Sequence, residues 1–225
     1  MNHTYYKSLF LSVFIFGFGI ASSIYGASQK EKYVYESPLD VGLEFQVFKL
    51  NYKNYLWNNT VKLEDEGFGV NIGLEWIPFV TVVGKLATTL GFGFNTINNA
   101  PVSGSTATLY VVPIYGGLTY RGDFFKNQVI VPFISGGVDL GFSTQASKNG
   151  ATQGGLRIYE GLYYTTGIEL CLNAFDPYSG RELDSRVGIN GVYLTVMYMQ
   201  SEPINRTETV NLAHKEFRLG VRFEI

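Results

Sequence analysis

Residues 67–76 read GFGVNIGLEW: Phe68, Val70, Ile72, Leu74 and Trp76 fall on alternate positions, with Gly67, Gly69, Asn71, Gly73 and Glu75 between them. Strict alternation over this length means an extended strand with two chemically different faces, because successive side chains of a β-strand point to opposite sides. The same period runs through Leu39, Val41, Leu43, Phe45 and Val47 against Asp40, Gly42, Glu44 and Gln46. It returns in Leu86, Thr88, Leu90, Phe92 and Phe94 against Ala87, Thr89, Gly91, Gly93 and Asn95. Further outward, Thr108 to Arg121, Val129 to Phe142, Ile158 to Leu172, Val187 to Met199 and Lys215 to Ile225 complete a set of about eight strands. In the seventh, Ile189 and Tyr193 compete with Val192, Leu194 and Val196, which leaves its facing open.

Strands of ten or so residues exceed the five or six common in soluble sheets and match the roughly 9–11 of a tilted transmembrane strand. Composition agrees. Only 16% of the 225 residues are charged and 46% are hydrophobic, with 26 glycines, whereas soluble domains average about a quarter charged. A net charge of −2 gives no electrostatic reason to expect nucleic acid. Residues 9–20 (LFLSVFIFGFGI) follow Lys7 and precede Ala21, Ser22 and Ser23. Too short to cross a bilayer as a helix, this run reads as a secretory signal peptide spanning 1–26, with the barrel domain over 27–225. Cys171 is the sole cysteine, so no internal disulfide is available and packing must hold the fold.

Alternation alone leaves the facing unsettled, since a lipocalin-like barrel turns its apolar set inward and a membrane barrel turns it outward. The polar set decides. It is rich in Gly, Ser, Thr and Asn, with few charges per strand: Glu44, Glu75, Asp139, Glu169, Arg218, Arg222 and Glu224. A soluble outer face carries many Lys and Glu, whereas an eight-stranded interior has room for small residues and a few paired charges. Long polar segments (51–66, 96–106, 143–157, 200–214) alternate with shorter ones (78–84, 122–128), 173–185 excepted. Long external loops and short periplasmic turns follow that order. Trp76, Phe79, Phe124, Phe125, Phe175, Tyr178 and Phe223 fall near the periplasmic turns. Tyr52, Tyr55, Trp57, Phe94, Tyr110 and Tyr164 fall toward the other end, as two interfacial girdles would. The expected fold is all-β, an antiparallel up-and-down transmembrane β-barrel.

The last strand carries a resemblance. Arg218, Gly220, Phe223 and Ile225, within RLGVRFEI, are similar to the C-terminal assembly signal of bacterial outer-membrane β-barrels, with Ile225 where an aromatic is usual. Pro132, Phe133, Gly136, Gly137, Leu140 and Gly141, preceded by Pro113, Gly116, Gly117, Leu118 and Tyr120, resemble the Gly-rich strands of small barrels of the OmpA-like eight-stranded type. The resemblance implies residence in the bacterial outer membrane, recognition by the barrel-assembly machinery, and outer-membrane lipids and lipopolysaccharide as surroundings. It names no activity, because such barrels serve as anchors, adhesins, enzymes and pores.

Chemistry is sparse. With the signal peptide removed, His214 is the only histidine, too few ligands for the usual zinc sites, and no cofactor is expected. A grouping of His214, Ser201 and Glu202 at the outer rim resembles that of lipid A hydrolases, though a triad is defined by geometry. Glu64, Asp65 and Glu66 form an acidic run that lacks EF-hand spacing and reads as solvated loop. The interior charges Glu44, Glu75, Asp139, Glu169, Arg218 and Arg222 should pair, since an isolated ion inside a narrow barrel is prohibitive. Arg218 or Arg222 is expected to reach Glu44. The function that follows is a monomeric barrel with a plugged lumen and a structural or surface-interaction role. The alternatives are a narrow channel for small solutes and a lipid A-modifying hydrolase.

Overall fold

Strands β1 (Asp40–Trp57), β2 (Thr60–Thr81), β3 (Gly84–Val102), β4 (Ser105–Arg121), β5 (Ile130–Ser147) and β6 (Arg157–Cys171) follow one another in antiparallel hairpins. A 3-10 turn (Leu172–Ala174) and a helix, α1 (Pro177–Val187), lead to β7 (Gly191–Pro203), the two-residue β8 (Val210–Asn211) and β9 (His214–Glu224). The computed structural model describes residues 40–57, 60–81, 83–102, 105–124, 128–147, 156–204 and 210–225. The expected signal peptide and the start of the barrel domain at 27 lie outside them.

β9 pairs with β7 on one side and with β1 on the other, from Gly42↔Glu224 to Tyr52↔His214, so the eight long strands close on themselves. Closure satisfies every ladder without a free edge, the condition for strands to stand in hydrocarbon. Ile225 completes the seam by exchanging backbone hydrogen bonds with Val41 in both directions, at 2.9 and 3.1 Å. The start of β1 and the end of β9 lie at one end, which the expected topology makes periplasmic, together with the end of β2, the start of β3, the end of β4, the start of β5 and the connection at 172–190.

The facing follows the alternation. Phe68, Val70, Leu74, Trp76, Leu90, Phe92, Leu118, Val138, Leu162 and Leu219 lie exposed on the outer wall. The seventh strand, open in sequence, turns Tyr193, Thr195, Met197, Met199 and Ser201 inward. It begins at Gly191, because Val187 closes a helix that Asp176 caps and Gly188 ends in a left-handed conformation with φ of 72°. Thus 173–185, which broke the loop pattern, is mainly helix.

The long polar segments depart from expectation. Residues 51–57 and 60–66 are strand, as are 96–102 and 105–106, so these stretches extend the β1–β2 and β3–β4 hairpins beyond the membrane-level wall. The lower aromatic girdle holds Trp76, Phe79, Phe175 and Tyr178 on the exterior, and Phe94 stacks on Tyr110 at 6.0 Å toward the outer end. The side chains of Tyr52, Tyr55 and Trp57, and residue Phe125, lie outside the description.

Candidate functional site

The inward row of each strand fills the lumen in layers. Nearest the periplasmic end, Lys85 Nζ binds Glu224 Oε1 at 2.5 Å and Asp123 Oδ2 at 3.1 Å. Asp123 lies just past β4; burial pushes its carboxyl above the usual range while Lys85 pulls it down. Above it, Arg121 joins Glu75 at 2.7 Å and Glu169 at 3.0 Å. Arg222 grips both oxygens of Glu169 at 3.1 Å, reaches Glu224 at 3.1 Å, and lies 4.3 Å over the Tyr193 ring. Two arginines sharing one carboxylate, with further carboxylates at the flanks, bind β2, β4, β6 and β9 into one network.

Glu44 stands apart. It is opposite Arg222 in the β1–β9 register, yet no ion pair among the described residues joins it to Arg222 or Arg218, contrary to the sequence expectation. Arg222 is drawn to the two-oxygen geometry of Glu169 and to the Tyr193 face instead. One Glu44 oxygen has no protein partner.

A second polar layer follows. Arg218 binds Glu216 at 2.5 Å and Gln46 at 2.8 Å; Gln46 accepts from Asn71 at 3.1 Å, and Asn71 also bonds Tyr115. His214 Nε2 meets Glu216 at 2.7 Å. Ser201 donates to Asp139 at 2.6 Å and shares a 2.8 Å hydrogen bond with Tyr159. Of the sequence-selected interior residues, Glu75, Glu169 and Arg222 meet in the first network, whereas Asp139 and Arg218 belong to the second. Ser201 and His214 are register partners, but Ser201 is fully buried and turned to Asp139. Glu202 projects outward to Gln200 at 2.7 Å, so the envisaged triad is not assembled. Cys171 is buried near the periplasmic end beside Val131 and Tyr193.

Toward the outer end comes an apolar cluster of Phe48, Leu50, Ile97, Leu109, Val111, Tyr159 and Leu212, each at most 4% exposed, flanked on the β1–β9 seam by Glu216 and His214 at the height of Leu50 and Tyr52. Arg218 lies 4.9 Å over the Phe48 ring and so joins this cap to the polar layer below. At the same height the exterior is mixed: Lys49 pairs with Glu66 at 2.9 Å, and Asn51, Thr96, Glu202 and Lys215 face out, while Phe68 and Phe217, the register partners of Lys49, and Leu156 and Ile158 lie exposed beside them. Along β1 the inward row therefore changes from polar (Glu44, Gln46) to apolar (Phe48, Leu50), while the outward row changes from apolar (Phe45, Val47) to polar (Lys49, Asn51).

Gln46 and Asn71 lie inside as their polar rows imply, whereas sequence reading missed Lys85, Arg121 and Glu216 inside, and the inward rings of Phe48, Phe133, Tyr115, Tyr159, Tyr163 and Tyr193. Parity could have found several of them: Arg121 continues the row Gly117, Thr119. The glycines were a further signal. A side chain at Gly91 would collide with the Tyr115 ring, and one at Gly69 with the Phe48 ring, so inward glycines mark where a neighbouring strand's aromatic fills the lumen. Of the assembly-signal residues, Arg218 and Gly220 face inward. Phe223 meets Phe45 edge-to-face at 6.5 Å on the outer side, and Ile225 lies half-exposed in the seam. Among the described residues no group of three or more His, Cys, Asp or Glu could hold a metal ion.

No family model and no curated protein matches the chain. Solved structures do. Neisserial surface protein A is similar at 15% identity and a TM-score of 0.49, covering 84% of this chain and 98% of its own. Ail, the attachment invasion locus protein of Yersinia pestis, follows at 10% and 0.48, covering 84% and 100%. The outer membrane enzyme PagL follows at 14% and 0.42, covering 83% and 99%. The closed ring of eight strands and its outward apolar wall define the chain as a small eight-stranded antiparallel β-barrel of the kind whose strands can stand in a membrane.

Proposed function

We propose that this barrel is a non-enzymatic surface-interaction protein whose lumen is plugged and whose outer end is a preformed binding surface. The observation that carries the reading is the change of face at the outer end: hairpins rising past the membrane-level wall over an apolar interior, with polar residues of β1 outside. A loop with no core would sacrifice conformational entropy on binding, whereas a sheet held by buried Leu50 and Leu109 has already lost it in folding. The buried, doubly engaged Ser201 speaks against the hydrolase alternative. The same reading takes the barrel as a monomer among outer-membrane lipids and lipopolysaccharide, delivered by the barrel-assembly machinery through Arg218, Gly220, Phe223 and Ile225.

The test displays the full chain on a heterologous outer membrane and measures attachment to panels of matrix proteins, glycans and bacterial envelopes. Attachment to one surface, lost when 52–65 are replaced by a short turn in a barrel that still folds, is the expected result. No attachment anywhere, with solute uptake instead, overturns the reading in favour of the channel alternative, which the polar lower lumen otherwise favours.

A further inference from the structure

We propose that the permeability barrier of this barrel is the apolar cap around Leu50, Ile97 and Leu109, and that the ion-paired layers beneath it form a hydrated vestibule entered from the periplasmic end. The proposal deepens the plugged-lumen reading and rests on it. Two observations carry it. Several buried polar atoms of the lower layers have no hydrogen-bonding protein partner among the described residues, including Glu44 Oε1, Glu75 Oε2, Arg121 Nη1 and Thr195 Oγ1. Atoms of this kind are satisfied by water in proteins, since a buried donor or acceptor left bare forfeits its hydration with nothing in return. The cap offers the opposite environment. Leu50, Ile97 and Leu109 are completely buried in one cluster with Phe48, Val111, Leu212 and Tyr159, whose hydroxyl is already bonded to Ser201, and among the described residues Asn95 is the polar side chain that borders this cluster beside Phe48 and Val111. A constriction lined this way excludes ions by dewetting, with no need for a charged latch.

Charge gives the vestibule a sign. Among the described residues, six carboxylates (Glu44, Glu75, Asp139, Glu169, Glu216 and Glu224) are buried in the lumen against four Lys and Arg (Lys85, Arg121, Arg218 and Arg222), with His214 beside Glu216. A path opened through the cap is therefore cation-selective.

Single-channel recording in planar bilayers tests both parts on the full-length barrel. The wild type is expected to stay closed, a Leu50→Ser/Leu109→Ser variant to show discrete steps whose reversal potential under a potassium chloride gradient reports cation preference, and Arg222→Gln to stay closed. Folding of each variant is checked by heat-modifiable migration in detergent gels; should the double serine variant fail to fold, Ile97→Thr makes the same test. Conduction by both kinds of variant, by neither, or by Arg222→Gln alone overturns the placement of the barrier. Anion preference overturns the assigned charge. Stable conduction by the wild type instead removes the plugged-lumen reading itself.

Discussion

The two halves of this barrel solve the same packing problem with opposite faces. Along β1, Phe45 and Val47 look outward while Glu44 and Gln46 look in; two residues further on, Phe48 and Leu50 look in while Lys49 and Asn51 look out. Nothing about the backbone changes, for the strand continues in register with β2 and β9 throughout. What changes is the solvent. In hydrocarbon an apolar side chain gains nothing from the interior, so polar groups are gathered inside where they can pair. Above the bilayer the hydrophobic effect acts again, and β1 takes on the polarity of a soluble strand.

The contrast is broken most severely at its most connected charge. Glu169→Ala leaves the guanidinium groups of Arg121 and Arg222 buried without their shared partner, and about 3–5 kcal/mol of stability is expected to be lost. Urea unfolding of the barrel in phospholipid vesicles measures it. In the outer half the comparable damage is a cavity. Leu109→Ala should cost about 2–5 kcal/mol by the same measurement, the loss seen when a fully buried leucine is truncated in a soluble core. A cost near zero would mean that the outer half has no core of its own.

Outward substitutions sharpen the boundary. Leu90→Arg places a guanidinium against acyl chains and should cost about 2–4 kcal/mol near the bilayer midplane. Asn51→Arg, on the outer wall two residues above Lys49 on the same face, should stay within about 0.5 kcal/mol, as surface changes in water do. Equal penalties at the two sites would place Asn51 in lipid and erase the inversion.

The lower half was legible in sequence because period two is a local property. The row from Phe68 to Trp76 announces its facing without reference to any partner. Pairing within the lumen was not legible: whether Arg222 turns to Glu44 or to Glu169 depends on rotamers and on strands far apart in the chain, brought together only by closure. The outer half was misread for a different reason. Polar composition over 51–66 suits an external loop, but it suits equally the wet face of a strand whose dry face needs few residues. The out-of-phase pair Phe48 and Leu50, directly after Val47, is the mark of that change.

The smallest expected effect lies at the periplasmic end, where α1 offers a region belonging to neither half. All of it but Gly180 stays at least partly open to solvent, so its stability rests on its own caps more than on tertiary packing. The Ser179 hydroxyl and amide both donate to the Asp176 carboxylate, at 2.7 and 3.1 Å, and hold its pKa below the usual aspartate value. A carboxyl depressed in the folded state contributes stability above its unfolded pKa of about 3.9 and loses it as pH falls through the lower folded value. Amide exchange within α1 should therefore quicken below that range while exchange in β1 and β9 does not. Asp176→Asn keeps a capping oxygen but has no charge to titrate, and it should remove the pH dependence while leaving α1 formed. If the variant retains the acid-induced loosening, the cap is not its source, and the helix must answer to groups on the barrel rim such as Asp123.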